Sequence, residues 1–341
     1  PNIENIFRCE NIVYFRKINK ILFMMKQTKF ITKIIGLGLC IIFLSNLSCN
    51  DPKTKSSSSS ELSPLFFKLS LAQWSIHRMI RENNYDPYKF ASIAKELGFE
   101  GLEYVNALYD DVMKSSDKKS AIEVFIQKSK SLADENKIKN VLIMIDGEGD
   151  LSSSDPIKRN EAIENHKLWI YAASKIGCSS VRLNLYGEKD PDKWISNSIN
   201  SLTALSTYAK EYNINVIVEN HGRITSNIPL LMQVINGVNM DNCGTLPDFG
   251  NFCISDEGYG SIFDGSCKEA YDIYNGISEM MPRAFGVSAK SYDFNSEGFE
   301  TNIDYNRMLK IVKDQNYKGF IGVEYEGNRL SEIEGIKATK N

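Results

Sequence analysis

The chain has 341 residues, 42% of them hydrophobic, and a formal net charge of −3 at pH 7. This length suits one large domain, and the composition is that of a soluble globular protein. Because no long basic run lies outside the N-terminal region, the sequence excludes nucleic acid as an expected partner.

The N-terminal segment, residues 1–49, is typical of an export signal rather than of a folded domain. We interpret the residues before Met24 or Met25 as upstream sequence joined to the true start. Lysines then precede the apolar stretch IIGLGLCIIFL, which is too short for a membrane-spanning helix. The following SNLSC resembles a bacterial lipobox, although Asn46 replaces the usual aliphatic residue. We expect a periplasmic or outer-membrane lipoprotein, anchored in the bacterial envelope through lipidated Cys49. A plain signal peptide is the alternative.

A Ser-rich linker, residues 50–63, follows the signal and contains little to bury, so we expect a flexible tether. Residues 64–341 form the folded domain in this interpretation. The domain has cysteines but no CxxC spacing. We interpret them as ordinary buried thiols, with a disulfide outside the cytoplasm as the alternative. They are Cys178, Cys243, Cys253 and Cys267.

Short runs rich in β-branched residues alternate with amphipathic helical patterns throughout this domain. Helical patterns lie between the runs, and several end at Gly or Asn, as helices commonly do. This period predicts a (β/α)8 TIM barrel. A doubly wound open sheet is the alternative, which we disfavour because no Gly-rich phosphate loop follows the first strand. The last helical pattern, residues 330–341, stops early, so we expect a closing helix that is cut short. The predicted strands lie in residues 67–76, 99–105, 139–146, 179–186, 214–220, 243–249, 284–292 and 319–327.

Polar side chains follow or end every predicted strand, at the rim where barrels place their function. The most conspicuous example is VIVENHG, residues 216–222, where an apolar strand ends in three side chains that are costly to bury. Residues two apart on a strand share a face, so Ser288 and Lys290 point the same way, as do Glu324 and Glu326. In chain order the candidates are Gln73, Trp74, His77, Glu103, Asp146, Glu148, Arg182, Asn184, Glu219, Asn220, His221, Asp248, Ser288, Lys290, Glu324 and Glu326.

Three of these carboxylates, Glu219, Asp248 and Glu324, arrive at one rim from strands five, six and eight. Carboxylates cannot all stay ionised close together unless a cation or a proton neutralises them. Oxygen ligands favour a hard divalent ion such as Mn²⁺ or Mg²⁺, and an added imidazole favours Mn²⁺, Co²⁺ or Zn²⁺. We therefore predict a divalent metal ion here, with Mn²⁺ favoured.

The segments VEN, PDFGN and VEYEG resemble those of the xylose isomerase-like family of barrels, over most of residues 65–335. That family includes sugar isomerases, ketose 3-epimerases, inosose dehydratases and AP endonucleases. Its usual metal ligands are Glu on strand five, Asp on strand six, His on strand seven and Glu on strand eight. The resemblance places Glu219, Asp248 and Glu324 at three of these positions.

Strand seven departs from the family pattern, because FGVSAKSYDF contains no histidine and has Ser288 or Lys290 in its place. A lysine in its cationic form cannot ligate a metal and would repel one. Two hypotheses follow. His221 could supply the imidazole from strand five, or the Lys290 ammonium could replace the metal as the neutralising charge. We favour a metal site that is retained but altered, with His221 as its fourth ligand.

The resemblance implies an isomerase or epimerase that moves a proton next to the carbonyl of a keto-sugar or related polyol. Glu219 and Glu324 would exchange the proton, and Lys290 is a further catalytic candidate. The alternative role for Arg182 is a structural ion pair, and the alternative role for Trp74 and His77 is packing in the core. The residues expected to bind substrate are Trp74, His77, Arg182, Asn184 and Glu326.

Two other functions remain open at this point. A lyase or dehydratase acting on keto-glycosides would use the same enolate chemistry. A carbohydrate-binding barrel without catalysis would explain the missing histidine. An AP endonuclease is disfavoured, since an acidic exported chain meets no DNA and the sequence has only 3 histidines for a multi-metal site. We expect a small-molecule sugar as the partner, a membrane contact only through the lipid anchor, and no nucleic acid; the sequence allows an oligomer.

Overall fold

The computed structural model describes residues 65–255 and 267–341. The predicted signal peptide, Cys49 with its predicted lipidation, and the whole Ser-rich linker lie outside these residues. Within the two described ranges, no helix combines the length and the apolar character needed to cross a bilayer.

Eight parallel strands form one curled sheet in the order β6-β5-β4-β3-β2-β1-β8-β7. The two end strands meet through isolated parallel bridges, Thr245 with Ala284 and Asp248 with Ser288. The backbone N–H of Ser288 donates to the carbonyl of Pro247 at 2.9 Å, which ties the same two edges together. The strands are β1 Lys68–Ala72, β2 Gly101–Val105, β3 Lys139–Met144, β4 Ser180–Leu183, β5 Asn215–Glu219, β6 Cys243–Leu246, β7 Val287–Ser291 and β8 Phe320–Tyr325.

Helices lie between successive strands and after β8, which confirms the predicted (β/α)8 barrel. The α-helices are His77–Arg81, Phe90–Glu96, Asp110–Met113, Lys118–Asn136, Pro156–Ile176, Pro191–Lys210, Ile228–Val238, Ile273–Met280, Tyr305–Asp314 and Glu332–Lys340. Single 3₁₀ turns occupy Gln73–Ile76, Pro87–Lys89, Asn106–Leu108, Arg223–Ser226 and Met281–Arg283.

Local sequence explains where the long helices begin and end. Asp155 and Asp190 each accept a hydrogen bond from a backbone N–H of the first turn, and a proline follows each of them. This pairing is favourable because the aspartate satisfies an unpaired donor, and proline has no N–H to leave unpaired. Gly177 ends the helix Pro156–Ile176 with φ at 88°, in the left-handed region.

The last helix, Glu332–Lys340, begins with a capping box between Ser331 and Glu334. It packs against β8 so closely that a Cβ added at Gly335 would lie 2.2 Å from the Tyr325 ring. Glycine therefore lets this helix cover the strand that carries Glu324.

The cysteines differ from the main prediction. Cys253 and Cys267 form a disulfide, whereas Cys178 and Cys243 are buried free thiols. The interpretation of all four as free thiols is therefore wrong for one pair. Sequence spacing could not show this pairing, because it depends on how the chain after β6 returns towards itself before the helix Ile273–Met280.

Candidate active site

Three carboxylates meet inside the rim at the C-terminal ends of the strands. Glu219 ends β5, Asp248 follows β6 and Glu324 lies in β8. One oxygen from each lies within 4.8 Å of the others, and all three side chains are buried. We call Glu219, Asp248 and Glu324 the carboxylate triad. The structure therefore brings together the three residues that the strand-end argument and the family resemblance had selected.

The segments VEN and PDFGN hold two members of the triad in place. Asn251 donates from Nδ2 to Glu219 Oε1 at 3.0 Å. The backbone N–H groups of Gly250 and Asn251 donate to Asp248 Oδ1 at 2.8 and 2.9 Å. Asn220 Nδ2 donates to the carbonyls of Asp248 and Asn251, and its Oδ1 accepts from the Asp248 N–H. Asn220 thus connects the end of β5 to the loop after β6. The sequence-based predictions had given Asn251 no role.

Lys290 lies among the acidic groups with only 1% of its side chain exposed. Its Nζ is 3.1 Å from Glu326 Oε2, 3.3 Å from Glu324 Oε1 and 3.7 Å from Asp248 Oδ2. Ser288, two residues earlier on β7, donates to Glu324 Oε2 at 2.8 Å. Both inward-facing residues of β7 therefore position Glu324.

Arg182 neutralises the opposite side of the site. Its Nε lies 2.8 Å from Glu219 Oε2, and its Nη1 donates to Asp146 Oδ1 at 2.7 Å. Asn184 Nδ2 donates to the same oxygen of Asp146 at 2.7 Å. The structural ion pair that we weighed for Arg182 is present, and the same side chain also lines the cavity above the triad.

Among the described residues, the group whose ligand atoms lie close enough to share a metal ion contains Glu219, Asp248 and Glu324 but not His221. Its Nδ1 is 3.0 Å from Asn184 Oδ1, while Tyr186 donates from its hydroxyl to the His221 carbonyl at 2.7 Å. Asn184 uses its amide nitrogen for Asp146, so its oxygen accepts, and Nδ1 of His221 carries the proton. Burial, with Arg182 and Lys290 nearby, lowers the pKa of His221 to about 4, so the imidazole is neutral at pH 7.

The ionisation of the triad follows from burial and the two cations. Burial raises the pKa of Glu219 to about 7, against the attraction of Arg182. Burial likewise raises the pKa of Asp248 to about 8, against the attraction of Lys290. Burial alone would lower the pKa of Lys290, but Asp248, Glu324 and Glu326 outweigh it and hold that pKa well above its usual value. Lys290 is therefore an ammonium ion at neutral pH.

A cavity of about 590 Å³ opens above the triad, within the size range of small-molecule sites. Glu324 and Glu326 lie in its wall, and so do Arg182, Asn184, His221 and Trp74. Glu219, Asp248 and Lys290 are not among the residues that line it. Of the two carboxylates expected to exchange a proton, only Glu324 reaches the cavity.

The remaining candidates have mixed roles. His77 stacks on Trp74, with ring centroids 4.5 Å apart and planes 11° apart. Trp74 lines the cavity, whereas His77 lines a neighbouring pocket that shares Trp74 and Glu326 with it. Glu148 accepts from Lys118 Nζ and from Trp169 Nε1, both at 2.5 Å, which makes it a support for the wall. Glu103 lies deeper in the barrel, where it accepts from Ser70 at 2.5 Å. Tyr186, which the predictions did not select, orients His221.

The triad by itself could hold a metal ion, because its oxygens are close and oxygen donors suit a hard divalent cation. Asp248 Oδ2 is also buried without a hydrogen-bond donor among the described residues. The ammonium of Lys290 does not fit such an ion, however, since it lies within ion-pair distance of two of the three ligands. It has no lone pair to donate and repels a cation.

A family model described as xylose isomerase-like TIM barrel matches residues 91–341. The chain belongs to this family. A search of curated proteins found no match. Members of the xylose isomerase-like family share the barrel, and the geometry above shows how this member departs from the family's expected metal ligands on β7.

Solved structures with the same fold include several enzymes. An IolI protein with a bound zinc atom is 18% identical, with a TM-score of 0.58 over 80% of this chain and 95% of that chain. A D-allulose 3-epimerase from Methylomonas sp. is 14% identical, with a TM-score of 0.59 over 80% and 96%. A probable 3-DHS dehydratase from Bacillus anthracis is 15% identical, with a TM-score of 0.57 over 81% and 99%. At these identities the likeness shows a shared fold.

Proposed function

We propose that this protein is an isomerase or epimerase that moves a proton next to the carbonyl of a keto-sugar or related polyol. One observation carries the proposal: Glu324 presents a carboxylate to a cavity of about 590 Å³, beside the fixed cation Arg182. An epimerase of a keto-sugar among the similar structures supports this class of reaction. A proton transfer of this kind needs a base and a positive charge near the developing oxyanion.

The reaction begins when Glu324 takes the proton from the carbon next to the carbonyl. The electron pair of the broken C–H bond moves into an enediolate, whose negative oxygen Arg182 stabilises from the cavity wall. Glu324 then holds the proton. Returning it to the neighbouring carbon, the former carbonyl carbon, produces an isomer once the adjacent hydroxyl proton has passed to the enediolate oxygen, whereas a proton delivered from water to the opposite face of the first carbon produces an epimer. His221, whose Nε2 carries no proton, and the Glu326 carboxylate line the same cavity and can accept the hydroxyl proton during its transfer between the two oxygens.

Glu219 has a different role in this proposal from the one that the sequence suggested. Because it lies behind Arg182 and not in the cavity wall, it positions the guanidinium instead of touching substrate. The Mn²⁺ expected from the sequence is not part of the proposed reaction, because the Lys290 ammonium would repel a cation bound to the same carboxylates. The carbonyl is polarised here by side chains that the barrel itself supplies.

The disulfide supports the proposal that this enzyme is exported. Disulfides form and persist mainly in oxidising compartments outside the cytoplasm. We propose that the barrel is attached to the bacterial envelope through Cys49, which lies outside the described residues. Such an enzyme would meet free sugars or glycosides more often than sugar phosphates, which are mainly cytoplasmic.

The proposal is tested by incubating the protein with a panel of keto-sugars in D₂O and following C–H exchange by NMR. We expect exchange and a new isomer with one of them, and loss of both in Glu324→Gln by about 10²-fold or more. Glu211→Gln changes an exposed glutamate away from the rim and serves as the control. Binding without any exchange, in folded protein, would favour the carbohydrate-binding barrel instead.

A dehydratase is the second candidate, because a probable dehydratase is among the structures with this fold. The same enolate would expel a leaving group from the next carbon, with the C–O bond breaking and a C=C bond forming. The NMR experiment separates the two, since elimination produces an olefinic signal and isomerisation does not.

A further inference from the structure

We propose that the ammonium of Lys290 is the built-in counter-ion of the carboxylate triad, and that it takes the position of a divalent metal ion. The rim would then work without a bound metal. The inference goes beyond the proposed function and does not depend on the substrate.

The register of the sheet places Lys290 opposite the triad. Lys290 pairs with Glu324 across the β7–β8 ladder, and both side chains face the barrel interior. Nζ reaches Glu324 at 3.3 Å and Glu326 at 3.1 Å as hydrogen bonds, and Asp248 at 3.7 Å as an ion pair. An ammonium group has three donors, and three carboxylates surround this one.

Every member of the triad already has a protein cation within ion-pair distance. Arg182 serves Glu219 at 2.8 Å, and Lys290 serves Asp248 and Glu324. Other oxygens of the triad accept from protein donors: Ser288 for Glu324, Asn251 for Glu219, and two backbone N–H groups for Asp248. The neutralisation that a metal would supply to buried carboxylates is therefore provided by side chains.

A divalent ion could not share this space with the ammonium. An ion bound to both Asp248 and Glu324 would lie next to the ammonium, because Lys290 Nζ is already 3.7 Å from Asp248 Oδ2 and 3.3 Å from Glu324 Oε1. Two positive charges would then lie within a few ångströms of each other in a buried site, where repulsion is poorly screened. Lys290 has almost no exposed surface through which to swing into solvent.

The test measures metal binding to the full chain. Wild-type protein, purified with Mn²⁺ and Zn²⁺ present and then dialysed, should retain no stoichiometric metal by mass spectrometry. Calorimetric titration should show a Kd weaker than about 1 mM for either ion. Lys290→His replaces the ammonium by an imidazole ligand and should bind one ion per chain at least about 100-fold more tightly. Lys290→Gln removes the charge without adding a strong ligand, and it should show a smaller gain.

Lys193→His is the matched control, because it adds a histidine at an exposed lysine and should not bind more tightly than wild type. One retained divalent ion per wild-type chain would overturn the proposal. So would a folded Lys290→His variant whose affinity equals that of the wild type. If Lys290→His does not fold, thermal unfolding of the wild type decides: Mn²⁺ should not raise Tm, and a rise would refute the inference. None of these measurements needs a substrate, so their results can be interpreted even if the proposed function is wrong.

Discussion

Replacing Lys290 by Met should expose how much the barrel relies on its buried cation. Methionine is apolar and of similar length, so the change removes the charge while it keeps most of the packing. Three carboxylates lose their partner at once: Glu326 at 3.1 Å, Glu324 at 3.3 Å and Asp248 at 3.7 Å. Buried charges left without a partner are strongly unfavourable.

Removing one partner of a buried ion pair typically costs about 3–5 kcal/mol in the free energy of unfolding. The cost depends on pH, because the carboxylates can take up protons. The pKa of Asp248 is about 8 in the presence of Lys290, and losing the cation raises it further. An acid with a raised pKa in the folded state loses stability as pH rises from its unfolded pKa through its folded pKa. The destabilisation should therefore be largest near about pH 9 and smaller near about pH 6.

Urea unfolding followed by circular dichroism at the two pH values measures this difference. The control is Lys310→Met, which breaks a pair with Asp314 in which the lysine is 72% and the aspartate 57% exposed. We expect that control to change stability by no more than about 0.5 kcal/mol. Equal stabilities of the two variants at the higher pH, or a larger loss at the lower pH, would refute the reasoning.

Three further predictions concern groups around the triad. Asn220→Ala should cost about 2–4 kcal/mol, because it leaves the carbonyl and the N–H of Asp248 unpaired and removes one of the two donors to the Asn251 carbonyl; urea unfolding checks this, and a loss under 1 kcal/mol would contradict it. Burial raises the pKa of Glu103 to about 8 despite the Ser70 hydroxyl, so its ionisation costs stability increasingly as pH rises from about 4.5 to 8. Glu103→Gln should consequently gain stability relative to wild type between about pH 5 and pH 9, and a constant difference would show that Glu103 does not titrate in this range. Cys253→Ala should cost about 3 kcal/mol through loss of a loop closure spanning 14 residues, and reductant should reproduce this in the wild type but not in the variant.

The sequence by itself determined the architecture and the list of rim residues. The alternation of β-branched strands with amphipathic helices predicted eight β/α units, and the structure confirms them. These features are local: a strand's side chains alternate over two residues, and a helix is capped by Asp155 or Asp190 within its first turn. The same locality made Glu219, Asp248 and Glu324 visible as strand ends, and the barrel topology alone then sends them to one rim.

Only the tertiary structure decided what those residues do to one another. The Lys290 ammonium reaches two members of the triad, whereas His221, which the sequence offered as a metal ligand, turns its Nδ1 to Asn184. The disulfide between Cys253 and Cys267 likewise depends on the path of the chain after β6. The two-residue period of a strand shows which side chains face the barrel interior, but not which charged groups they pair with. Those pairs form between side chains on strands that are far apart in sequence. The balance between burial and opposite charge, which keeps Lys290 ionised, exists only once those strands are side by side.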